Sequence, residues 1–278
     1  LAACSPAAAY LNQQQRAGLP WPDANAHFAA LSRMTYGPLP AERQRTAEIG
    51  LQGWIEEQLD HENIEDLGAA LRLRSLDAIR LDANVLEGWE KEDAIEQFKA
   101  ASLIRQVYSR RQLYETLVEF WSDHFNITLA KDKCWFLKPV DDREVVRAHA
   151  LGKFGELLWA SAHSPAMLIY LDNQANHRDH PNENYARELM ELHSLGVDAG
   201  YTQDDVMELA RCLTGWTIKE HFWRGGFTFD DEIHDTGTKR LLGLTISNAG
   251  EHEVEQVLDE LASHPSTARF IAFKLVRR

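Results

Sequence analysis

The sequence predicts a mainly α fold: a multi-helix single domain over residues 23–278, with a small β-hairpin insert near residues 217–246. Three observations lead there. Apolar residues recur at helical spacing along most of the chain. The period changes in one region, where Thr217 to Trp223 and Phe227 to Phe229 flank Arg224-Gly225-Gly226, a hairpin signal with Gly-Gly at the turn. No internal repeat and no second composition zone follows an N-terminal tract of small residues over 1–22.

Taken in order, residues 23–34 carry a helical stripe that stops at Tyr36-Gly37-Pro38. Pro40 opens a second helix ending near Gly50, and residues 51–59 read as a third. Residues 63–88 are helical but broken, with Gly68 and Gly88 as weak points. A long pattern over 91–125 divides near Ser109-Arg110-Arg111, residues 126–139 read as a loop, and residues 140–151 as a helix opened by Asp141 and Asp142. Short helices follow over 153–162 and 165–171, then a polar loop, Asp172 to His177. Residues 181–196 and 202–216 give two more helices, with Thr202 and Asp205 as a capping box and Gly215 as terminator. Residues 241–246 suit one further strand, and residues 251–262 and 266 onward are helical. The last stripe runs to Arg277-Arg278 without a stop signal, which predicts a domain truncated at its C-terminus.

Composition narrows the class. The 278 residues are 44% apolar and 26% charged, values of a globular protein with a sizeable core. A formal net charge of −14 argues against a nucleic-acid partner and against broad docking on anionic lipid. No apolar run approaches the ~20 residues of a membrane-spanning helix. Leu1-Ala2-Ala3-Cys4, followed by Ser5-Pro6 and alanines, is similar to the end of a bacterial lipoprotein signal, in which the cysteine is acylated. The membrane contact expected is therefore a lipid anchor on Cys4, placing the chain in the cell envelope, facing periplasm or exterior. Cys134 and Cys212 read as small buried hydrophobes, with a disulfide as the alternative.

The candidate chemistry lies in three segments. On the helix after Pro181, Tyr185, Leu189, Leu192 and Gly196 share the apolar face, with Glu188 and His193 at its edges. Glu183 and Arg187 form an i, i+4 pair, and residues 182–184 supply caps or ligands. Arg211, on the following helix, points away from the core stripe. His124 falls inside the stripe of Leu113, Leu117, Phe120 and Trp121, where an imidazole needs a hydrogen-bond partner or a metal. His234-Asp235, with Lys239 close behind, sits on a loop. Each has a plain structural reading as cap, ion pair or buried polar group. No nucleophile elbow, phosphate loop, zincin helix or dinucleotide fingerprint is present.

These pieces together resemble the bacterial family named domain of unknown function 1800. The matching pieces are Ser32 to Pro38, Phe120-Trp121-Ser122-Asp123-His124-Phe125, His149-Ala150-Leu151-Gly152, Ser164 to Leu168, Tyr170-Leu171-Asp172-Asn173, residues 181–196, Tyr201 to Trp216, and His234-Asp235 with Lys239 and Gly243. The resemblance implies an exported bacterial protein with no settled activity. It also implies a longer C-terminus and an exported partner resembling alkaline phosphatases and sulfatases. Two functions follow as expectations. The first is a structural or assembly role in the cell envelope beside that partner. The alternative is an extracytoplasmic metal-assisted hydrolase. There His124, Glu183, Glu188, His234 and Asp235 are the candidate ligands of a divalent metal, Glu188, His234 and Asp235 the candidate acid/base groups, and Arg187 and Lys239 the candidate holders of a substrate anion.

Overall fold

The computed structural model describes residues 24–219 and 226–278. Cys4, the tract 1–22 and the hairpin tip at 220–225 lie outside the described residues. The described residues are mainly helical, with thirteen α-helices and two antiparallel two-stranded sheets. They divide into two compact units, residues 24–72 with Ile104–Thr116, and Leu73–Leu103 with residues 117–219 and 226–278.

The first unit holds α1 (Ala24–Met34) and α2 (Pro40–Leu59), with most of α3 (Leu67–Leu73). The predicted break at Gly50 is present: its φ of 77° and ψ of 164° divide α2 into two helical stretches. Trp54 and Leu31 are buried, and amide groups fix the turn at 109–111. Gln58 donates to Arg110 O at 3.0 Å and accepts from Leu113 N at 3.2 Å. The Asp66 carboxylate accepts from Ser109 Oγ at 2.7 Å and from Arg110 N at 2.9 Å. This turn divides the long pattern into α5 (Lys91–Tyr108) and α6 (Gln112–His124), as its Ser-Arg-Arg break predicts; short α4 (Ala83–Leu86) precedes them.

In the second unit, α7 (Cys134–Asp141) is helical where a loop is expected. Its Cys134, Phe136 and Leu137 are buried, and that burial outweighs the proline signal. Pro139 is accommodated because the chain widens into a π-helical segment, Asp142–Arg147. Asp141 and Asp142 therefore lie inside helical structure and not at a helix start. Asp141 accepts from Lys138 Nζ at 2.8 Å and from Ser164 Oγ at 2.6 Å, and Asp142 pairs with Arg147 at 2.8 Å.

Then follow α8 (Phe154–Ala162), α9 (Pro165–Tyr170), α10 (Glu183–Glu191) and α11 (Gln203–Cys212). Strand β1 (Trp216–Ile218) pairs with β2 (Phe227–Phe229), Thr217 opposite Thr228. The single strand expected over 241–246 is a second hairpin, β3 (Lys239–Leu241) and β4 (Leu244–Ile246), turning at Leu242 and Gly243, whose φ values are 51° and 78°. Helices α12 (His252–Ser263) and α13 (Pro265–Arg277) complete the unit. Helix α10 packs on α11, α11 on β3, and α12 on α8. Leu157, Met167, Tyr185, Leu189, Leu209, Trp216 and Leu258 fill the interior. Helix α10 ends at Glu191, so Leu192 falls off the apolar face and is exposed, and Met190 is buried. Among the described residues no helix is long and apolar enough to cross a membrane.

Candidate functional site

The polar motif residues of the second unit assemble around the C-terminal end of α11. The last carbonyls of a helix have no partner inside it. Here two buried amides from the Asp172–His177 loop supply them. Asn176 Nδ2 donates to Ala210 O at 2.9 Å, and Asn173 Nδ2 to Leu213 O at 3.2 Å and to Trp216 O at 2.8 Å. Asn176 Oδ1 accepts from Asn182 N at 2.8 Å, which links this set to the start of α10. Gly215 permits the turn that follows: its φ is 85°, and a Cβ there would stand 2.6 Å from Asp230 O.

Beside that turn lies a buried charged cluster. His234, Lys239 and Glu253 are each 0% exposed. Lys239 Nζ is 2.5 Å from Glu253 Oε2 and also donates to Asp235 O. His234 Nδ1 donates to Thr214 O at 2.7 Å, because a carbonyl oxygen only accepts. Its Nε2 is buried without a hydrogen-bond partner and lies 3.4 Å from Glu253 Oε1. Burial raises the Glu253 carboxyl, but His234, Lys239 and the Ala249 amide together hold it below the usual range. Asp235 faces Arg211 in a two-pronged pair, Nε to Oδ2 at 2.8 Å and Nη2 to Oδ1 at 3.1 Å. That guanidinium holds the Asp235 carboxyl low, with burial opposing. Arg211 therefore does not point idly to solvent; it also pairs with Glu208 at 2.7 Å.

Thr214, His234 and Glu253 place a hydroxyl, an imidazole and a carboxylate in the order of a nucleophilic triad. Bonding and burial close it. The Thr214 hydroxyl donates to Arg211 O at 2.6 Å and accepts from Asp235 N at 2.9 Å, and the residue is 0% exposed. Its oxygen is occupied and buried.

The other expected residues stand elsewhere. His124 Nε2 donates to His193 O at 3.0 Å, and its Nδ1 faces Lys274 Nζ at 2.7 Å. Burial and the Lys274 charge push His124 down to about 4; burial, with His124 and Lys274, pushes His193 down to about 3. Both imidazoles are neutral at pH 7. Glu183 pairs with Arg187 at 2.9 Å, and Gln203 bridges the two, donating to Glu183 at 2.6 Å and accepting from Arg187 at 2.8 Å. The Glu188 carboxyl is raised by burial and by Glu191, with Arg187 opposing. The structure thus joins His234, Asp235 and Lys239, and separately joins Glu183 to Arg187. His124 keeps different partners from either set. Among the described residues no group of three or more His, Cys, Asp or Glu side chains could hold a metal ion. Cys134 and Cys212 are free and buried, and desolvation pushes their thiols up to about 11 and about 12.

A family model described as protein of unknown function (DUF1800) matches residues 29–278. The chain belongs to the DUF1800 family. The match spans both compact units and every residue of the buried cluster. No curated protein and no solved structure matches the chain. Within this DUF1800 chain, sequence reasoning missed Glu253, Lys274, Asn173 and Asn176. Both asparagines sit in a loop read as polar, where Asn173 enters only as part of a family match. Glu253 sits in a helix whose other acidic residues are ordinary surface groups, and nothing local marks it as buried.

Proposed function

We propose that this DUF1800 chain is a non-catalytic scaffold of the bacterial cell envelope, lipid-anchored through Cys4 and assembled beside an exported partner. The observation that carries the reading is the fate of His234, Asp235 and Lys239. Asp235 is paired with Arg211 and Lys239 with Glu253, His234 bonds through Nδ1 to Thr214 O, and His234 and Lys239 have no exposed surface. A reacting centre needs groups that meet a substrate in an open pocket. The lipoprotein-like Leu1-Ala2-Ala3-Cys4 supports the anchor. The metal-assisted hydrolase lacks comparable support, since among the described residues no three His, Cys, Asp or Glu side chains are grouped as ligands.

One preparation of full-length protein from a bacterial host tests this reading. Intact mass should show acyl chains on the N-terminal cysteine. Metal analysis should show less than stoichiometric metal, and divalent ions should leave the unfolding temperature unchanged. A bound metal at 100 times its Kd would add about 2.7 kcal/mol, and each kcal/mol moves Tm by roughly 2–4 °C in a domain of this size. A shift of several degrees with stoichiometric zinc or magnesium overturns the non-catalytic part. An unacylated cysteine overturns the anchor.

A further inference from the structure

A cavity of about 530 Å³ opens between the first turns of α11 and strand β3, lined by Asp204, Met207, Glu208, Thr238 and Arg240. That volume falls within the range of small-molecule sites. Its walls are held in place. Asp205 Oδ1 accepts from Leu242 N at 2.7 Å, and Glu208 Oε2 accepts from Arg240 N at 2.7 Å. The other Glu208 oxygen pairs with Arg211, so Glu208 is committed to the wall. Two charged side chains remain. Asp204 and Arg240 are exposed, and among the described residues neither side chain forms a hydrogen bond or ion pair. Met207, 46% exposed, adds an apolar surface between polar groups. One uncommitted carboxylate and one uncommitted guanidinium border the same cavity, which a hydroxyl and a thioether also line.

We propose that this groove binds a zwitterionic short peptide, two or three residues long with both ends free. Its ammonium sits on Asp204, its carboxylate is held by the fork of Arg240, and small apolar side chains lie over Met207. A carboxylate in an Arg fork is a strong, directional contact. The opposite charges at the two ends select against simple anions and simple amines. A chain of two or three residues spans at most ~3.3–3.6 Å per residue, so both ends stay within one small cavity. The inference does not rest on the scaffold reading, because a scaffold and an enzyme could each carry such a groove.

Ligand-observed NMR titration of the full chain with trialanine is the test. The expected Kd is in the range of about 0.1–1 mM, as befits an open groove and a small ligand. N-acetylated trialanine and trialanine amide should each bind at least ~10-fold more weakly. In D204N, binding weakens and acetylation makes no further difference; in R240Q the same holds for amidation. Both positions are exposed, so both variants should unfold at the wild-type temperature. Absence of trialanine binding, equal binding of a capped peptide to the unaltered chain, or unchanged binding in D204N and R240Q overturns the proposal.

Discussion

Two buried histidines set the acid behaviour of the second unit. His124 and His193 are held neutral, with pKa values pushed down to about 4 and about 3 by burial and by the nearby Lys274 charge. In the unfolded chain an imidazole titrates near ~6.5. Below that value the unfolded state binds protons that the native state refuses. The stability these groups contribute is therefore present above pH ~6.5 and lost as pH falls towards their folded values. Together the two histidines account for a loss on the order of a few kcal/mol between pH 6.5 and 4.5. Glu253 and Asp235, whose folded pKa values are depressed, add their loss only below the usual carboxylate range. Urea unfolding across this range should show a steep decline, shallower in H124Q. An unchanged slope in H124Q would contradict the neutral pairing of His124 with Lys274.

At the scale of elements, α11 is the organiser of the second unit. Its first turn carries the capping box read from sequence: Thr202 Oγ1 accepts from Asp205 N at 3.2 Å, and Thr202 N donates to Asp205 Oδ2 at 2.7 Å. Asp205 also accepts from Leu242 N, so the same carboxylate clamps the second hairpin. T202A should cost about 1 kcal/mol, the ordinary loss of a cap. D205A should cost more, because the Leu242 amide loses its partner as well. Equal losses in the two variants, by denaturant unfolding, would show that the clamp contributes nothing. Elements of this kind were legible in the sequence because their causes are local. Thr202, Gly215, Pro165 and the break after Tyr108 act within a few residues. The errors have non-local causes: α7 forms through Pro139 because tertiary burial of Phe136 and Leu137 outweighs it, and the turn at Leu242–Gly243 is fixed by α11.

At the scale of the whole molecule, the family's polar signature builds a buried lattice that joins loop, hairpin and helix in the second unit. Its members were legible as chemically unusual residues, but their partners were not. Arg211 meets Asp235 across 24 positions, and Lys239 meets Glu253 across 14. Such pairings are set by packing that no local pattern encodes. A buried ion pair stabilises only while both partners remain, since removing one leaves an uncompensated charge. The account's central claim is that Lys239 and Glu253 form such a structural pair. Its most direct test is a double-mutant cycle on denaturant unfolding with K239M, E253L and the double variant. Each single substitution should cost about 3–5 kcal/mol, and the double should cost well under the sum, with a coupling of at least ~2 kcal/mol. Single losses within about 0.5 kcal/mol of zero, or losses that simply add, would contradict it.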